Sequence, residues 1–188
     1  MAPRIPPLPI DERDPRTEEM LASLRPPGGT ELNIFSTLAR HPKLFKRWSA
    51  FGGTLLYGGT LPGRERELLI LRTGYRCRSP YEWGQHVEIG LGTGLTRDEI
   101  ERVAAGPDAP GWTEAEADLL RAADELHDDN CIGDATWSAL AARWDEPQLI
   151  ELCMVVGQYH LVAFTLNSLG VEPETADFPP LPDEVVGG

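Results

Sequence analysis

Glu67 and His86 are the residues of this chain best suited to moving protons. Glu67 opens the run Leu68-Leu69-Ile70-Leu71, and a carboxylate leading into so apolar a stretch is out of place unless it is paired or used. Histidine is the side chain whose charge changes nearest neutral pH, so the two together can act as base and acid on a bound molecule. Glu82 stands one helical turn before His86 and shares its face, and is expected to orient the imidazole. The segment Ser79-Pro80-Tyr81-Glu82 also reads as a capping box with proline in the first helical position, which needs no function at all. Tyr81, Trp83, Tyr159 and His160 are expected to shape a substrate pocket, His160 because a histidine inside the apolar run Met154–Leu166 must be hydrogen-bonded or face a cavity. Arg72 reads as the cation for an anionic group of a bound molecule, with an ordinary surface arginine as the alternative. Cys77 is placed in the pocket wall as a small side chain rather than as a nucleophile. His127 precedes Asp128-Asp129 near a helix end, where a surface role suits it.

These groups have to be held by helices. Leu44, Phe45, Trp48, Phe51, Leu55 and Leu56 recur at helical spacing after Pro42, and Arg64–Cys77 is too long, with too few β-branched residues, to be a strand. Its corner with the segment carrying His86 is tight, so the two helices are expected to run antiparallel. Glu67 then lies about 16 Å from the corner and His86 about 10 Å, near each other without contact being required. Thr96 with Glu99 and Thr113 with Glu116 open two further helices as capping boxes. Asp134–Trp144 follows, and a last helix enters at Pro147 and stops at Gly170. Period-two alternation is missing, so no sheet is expected. Residues 1–30 read as a proline-rich arm with one short helix (Arg16–Arg25, stopped by Pro26-Pro27), 31–171 as the helical domain, and 172–188 as an acidic, proline-rich tail. The tails are expected to be disordered or to lie on a surface, their own or a neighbouring subunit's.

Composition narrows the function. The 188 residues carry a formal net charge of −13 and are 41% hydrophobic, enough for a core and contrary to the basic groove that nucleic acid requires. The run Leu149–Leu166 is interrupted by Glu151, Gln158 and His160, which marks a buried helix rather than a membrane span. The N-terminus lacks an apolar signal core, and three dispersed cysteines suit a reducing, cytoplasmic compartment. The sequence has no HExxH, HxH or CxxC spacing and no nucleotide or GxSxG motif. No metal and no cofactor are therefore expected, and the partners are a small-molecule substrate and other copies of the chain.

The order Glu67, Ser79, Glu82, His86 resembles the carboxymuconolactone decarboxylase and alkyl hydroperoxidase D superfamily, in which a glutamate, a CxxC and a histidine follow one another at this spacing. Tyr81-Glu82-Trp83-x-x-His86, the segment Asp124–Asp129 and Gly157-Gln158-Tyr159-His160 are similar to its longer members. The resemblance covers roughly residues 32–171. It implies an all-α, alkyl hydroperoxidase D-like domain assembled as a homo-oligomer, a trimer or hexamer, with bacterial relatives. It also implies cofactor-free lyase or isomerase chemistry on a small carboxylated substrate, with His86 as proton donor and Glu67 as its partner or the base. Ser79 and Glu82 occupy the two cysteine positions, and neither can attack a peroxide or resolve a sulfenate. A thiol peroxidase is thus the disfavoured alternative. A non-catalytic oligomeric binder is the other.

Overall fold

The computed structural model describes residues 2–25 and 28–183. The Pro26-Pro27 break and residues 184–188 of the tail lie outside the described residues. A 3-10 turn (Ile10–Glu12) is followed by α1 (Pro15–Leu24), α2 (Asn33–Leu38), α3 (Pro42–Tyr57), α4 (Gly63–Arg76), α5 (Pro80–Gly92), α6 (Arg97–Ala105), α7 (Glu114–Asp128), α8 (Asp134–Ala141) and α9 (Glu146–Leu169). The described residues contain no strand, as the periodicity predicts.

Helix α4 is the axis of the fold. It packs on α5, α6, α7 and α9, and every residue from Glu67 to Gly74 is buried. Leu68, Leu69, Ile70 and Leu71 are wholly inaccessible, each contributing roughly 1.5–3 kcal/mol. Because apolar residues point in all directions from this helix, it has neighbours on every side. Leu69 and Ile70 join a core with α7, α8 and α9; Leu68 and Leu71 join one with α5, α6 and α7. Arg64 fixes its first turn by bonding Glu99 and Glu116, the same carboxylates that complete the two capping boxes. The arginine pulls the Glu99 carboxyl down to about 2.

The corner after α4 is closed by Arg78 in the left-handed region (φ 51°) and by Ser79 N–H donating to the Gly74 carbonyl. Gly74 faces α5, and a Cβ there would sit in ordinary contact, 3.5 Å from Glu82 Oε1. The expected Ser79–Glu82 capping box does not form. Ser79 is the N-cap but its side chain accepts no hydrogen bond, and Glu82 makes none back to the Ser79 N–H, which donates to Gly74 instead.

Helix α9 has the length and apolarity of a membrane span, yet Leu149, Leu152, Val155 and Val156 form one wall of the core. The described parts of both terminal segments lie on the chain's own body. Leu8, Met20, Leu21 and Leu24 pack with Phe35, Phe45 and Trp48, and the Arg4 and Ile5 N–H groups donate to the Leu169 carbonyl at the end of α9. From the other end, Glu174 accepts from the Asn33 backbone N–H and the Gln85 side chain. Phe178 lies 5.7 Å from the Tyr81 ring.

Candidate active site

The antiparallel α4–α5 pair brings Glu67 and His86 into direct contact. His86 Nδ1 lies 2.7 Å from Glu67 Oε2, and Arg66 Nε donates to Oε1 of the same carboxylate at 3.1 Å. Glu67 is fully buried and His86 is 6% exposed. A carboxylate taking a guanidinium N–H on one oxygen faces the ring with an acceptor, so Nδ1 carries the proton and Nε2 is left for a bound molecule. The Tyr159 ring meets His86 edge-on, perpendicular, at 4.8 Å between centroids, and this fixes the plane of the imidazole.

His86 borders a cavity of about 210 Å³ between α2, α3, α5 and α9. Ile34, Phe35, Trp48, Leu56, Ile89, Val162 and Leu166 make its wall apolar. The polar groups in it are few: Glu82, Gln85, Gln158, the hydroxyls of Ser49, Tyr57, Tyr81 and Tyr159, and His86 itself. No lysine or arginine lines it. Two lining side chains hold buried polar atoms without a partner: both oxygens of Glu82 and the Trp48 indole nitrogen. Burial pushes the Glu82 carboxyl well above the usual carboxylate range. Uncompensated charge is very costly there, which favours the neutral acid form of Glu82. The Tyr159 hydroxyl is also raised well above its ordinary value, by burial first and then by Glu67 and Glu82.

The expected site residues therefore divide. Glu67, Glu82, His86, Tyr81 and Tyr159 gather at the cavity, Glu67 from behind His86. The orienting role moves from Glu82 to Glu67, because Glu82 makes no hydrogen bond to the imidazole and Glu67 does. Arg72 does not line the cavity. Its Nε and Nη2 grip Asp124 at 2.7 and 2.9 Å, and Nη1 donates to the Val103 and Ala104 carbonyls at the end of α6. Trp83 packs with Tyr75 in the core, away from the cavity wall. Cys77 and His160 also stand outside that wall, together with His127: His127 Nδ1 is 2.9 Å from His160 Nε2 and 3.9 Å from Cys77 Sγ. Burial lifts the Cys77 thiol to about 12, which makes it a poor nucleophile. His127, expected on the surface, is half-buried, and burial with the nearby Arg76 lowers it. Sequence reasoning missed Arg66, Trp48, Gln85 and Gln158. Of these, Gln158 had a signal, a polar residue within the most apolar helix.

Residues 42–125 match the sequence model of the carboxymuconolactone decarboxylase family. Solved structures of alkyl hydroperoxidase D-like proteins share the fold. An uncharacterised peroxidase-related protein from Ralstonia eutropha JMP134 superposes with a TM-score of 0.78 at 18% identity, over 90% of this chain and 93% of its own. A peroxidase-related protein from Silicibacter sp. TM1040 gives 0.79 at 14% identity, over 93% and 94%. Residues 42–125 are thus similar to the carboxymuconolactone decarboxylase family, and the fold is alkyl hydroperoxidase D-like. The debrominase Bmp8, solved with 2,3,4-tribromopyrrole, has the same fold, with a TM-score of 0.78 at 15% identity over 94% of each chain. No curated protein matches the sequence.

Proposed function

We propose that this chain is a cofactor-free acid–base enzyme that decarboxylates or isomerises a small carboxylated organic acid, such as a lactone, in the cavity beside His86. The observation that carries the reading is the buried Glu67–His86 pair bordering an apolar cavity that also holds the neutral, unpartnered Glu82 carboxyl. A substrate carboxylate there is removed from water with no cation in the wall to hold it. Loss of CO₂ leaves the bonding electron pair on carbon as an enolate, which one proton quenches. Glu82, as a neutral acid, donates a hydrogen bond to the developing enolate oxygen, as buried carboxylic acids do elsewhere. His86, with Nδ1–H held by Glu67, takes a proton from solvent at Nε2, becoming the imidazolium, and passes that proton to the enolate carbon, which returns it to the neutral Nδ1–H form. General acid catalysis of this kind is worth roughly 10²–10⁴-fold. The superfamily includes decarboxylases, and a fold-mate that holds a brominated pyrrole supports a small ring as the occupant.

Thiol peroxidase chemistry has less support. Cys77 is the cysteine nearest the CxxC position, its thiol is raised to about 12, and its sulfur neighbours an imidazole rather than a second thiol. The test is CO₂ release and ultraviolet change on a panel of carboxylated lactones. Turnover that falls in both His86→Ala and Glu82→Gln is expected. Absence of turnover across the panel by a well-folded protein would move the reading to a binder.

We also propose that the chain self-associates through α9. Ile150, Met154, Leu161 and Phe164 are each at least half exposed and lie on one stripe of the helix around Gly157, whose face is open. Such a stripe on a helix already buried on its other sides suits a second copy of the same helix.

A further inference from the structure

Cys77 closes α4, His127 lies in the last turn of α7, and His160 is in the middle of α9, so three helices deliver three ligand-type side chains to one spot. Sγ of Cys77, Nδ1 of His127 and Nε2 of His160 all lie within 4.8 Å of one another. None of the three lines the cavity beside His86. Their orientation is set from behind. His160 Nδ1 lies 2.8 Å from the Val156 carbonyl, which fixes its proton on that nitrogen and aims the Nε2 lone pair at the cluster. This is the outer support that metal-ligating histidines ordinarily have. Asn167 Nδ2 donates to the Cys77 carbonyl at 2.9 Å and ties the end of α4 to α9.

We propose that Cys77, His127 and His160 form a binding site for a borderline-soft divalent cation, with Zn²⁺ the best fit, leaving a fourth position for water or a small anion. One thiolate and two imidazoles suit Zn²⁺ and Co²⁺ and exclude Mg²⁺ and Ca²⁺, which require oxygen ligands. With Zn–S of about 2.3 Å and Zn–N of about 2.0–2.1 Å, tetrahedral ligands sit about 3.4 Å apart for N···N and about 3.6 Å for S···N. The observed 2.9 and 3.9 Å differ by a few tenths of an ångström, which small side-chain rotations supply. The three residues are all partly exposed, and His127 borders a surface hollow with Arg76 and Tyr75, which gives the ion and its fourth ligand access. The charge balance is simple. The Cys77 thiol gives one proton to solvent, the His127 proton moves from Nδ1 to Nε2, and no electron is transferred. The ion would clip the ends of α4 and α7 to α9.

The probe is Co²⁺ added to the full chain carrying Cys131→Ser and Cys153→Ser, so that Cys77 is the sole thiol. Expected are a thiolate-to-cobalt charge-transfer band, intense tetrahedral bands in the visible, saturation at one ion per chain, displacement by Zn²⁺ and indifference to Mg²⁺. One proton per ion is released. Cys77→Ser abolishes the charge-transfer band. His160→Ala, whose folding is checked by circular dichroism, weakens binding by more than about 100-fold, beyond the 10–100-fold typical of losing an outer-shell group. No charge-transfer band with Cys77 present, a band that survives Cys77→Ser, or affinity unchanged in His160→Ala would each overturn the site.

Discussion

Replacing Glu82 by glutamine keeps the shape of the protonated acid and removes its titration, and this gives the protonation state of the cavity a thermodynamic readout. Glu82 is wholly buried without a partner, and its carboxyl is held well above the ordinary 4.5. Between 4.5 and the folded value the native protein keeps a proton that the unfolded chain gives up. Stability from this group is complete below 4.5 and is lost as pH rises, at about 1.4 kcal/mol per pH unit. The glutamine variant has no such loss. Its stability relative to wild type should climb as pH rises above 4.5, at up to about 1.4 kcal/mol per pH unit until the folded value is reached, each 1 kcal/mol being worth roughly 2–4 °C in Tm for a chain of this size. Burying the new amide adds a constant offset, so the slope and not the intercept is diagnostic. Denaturant titrations of both proteins at three pH values in this range provide the check. A difference that stays flat with pH would mean that Glu82 is ionised in the folded state and would remove the neutral acid from the site.

Glu67→Gln should lower turnover by roughly 10²–10⁴-fold with little change in KM, because an amide can present the wrong partner to Nδ1 and release the required tautomer; ¹⁵N shifts of His86 report the tautomer directly. Arg72→Met leaves Asp124 with Arg76 alone and strips two carbonyls at the end of α6. It should cost about 3 kcal/mol in urea denaturation, at the low end for a broken buried pair. In Gly84→Ala, the new Cβ would fall 2.1 Å from the Phe178 ring, so the tail should lift from α5 and residues 173–180 become sensitive to protease while the helical core stays intact. Phe164→Glu should shift the chain towards smaller species in analytical ultracentrifugation, and an unchanged mass would remove α9 as the contact.

The helical frame was legible because its signals are local. Capping boxes at Thr96 and Thr113, Pro42 at a helix start and Gly170 at a helix end, with φ of 68°, each act within one turn of chain. The apolar run of α4 announced its burial. Glu67 and His86 were legible as a pair, but their 2.7 Å contact depended on how closely α5 packs on α4. Residue spacing alone does not reveal that approach. The same limit explains Glu82 and Arg72. Whether a carboxyl turns back to cap its helix or inward to a cavity is decided by the walls that α3 and α9 supply. Whether an arginine meets substrate or a partner depends on Asp124, which belongs to a different helix. The Cys77–His127–His160 group was invisible to a search for short ligand spacings because its members come from α4, α7 and α9.

The most direct test of acid–base chemistry at His86 compares two variants on any lactone the wild type turns over: His86→Ala, and the cysteine-free chain with Cys77, Cys131 and Cys153 all changed to serine. The cysteine-free chain should keep turnover within a few-fold, and His86→Ala should lose roughly 10²–10⁴-fold. The reverse pattern, with activity lost along with the thiols and retained without the imidazole, would contradict the proposed chemistry and return the thiols to its centre.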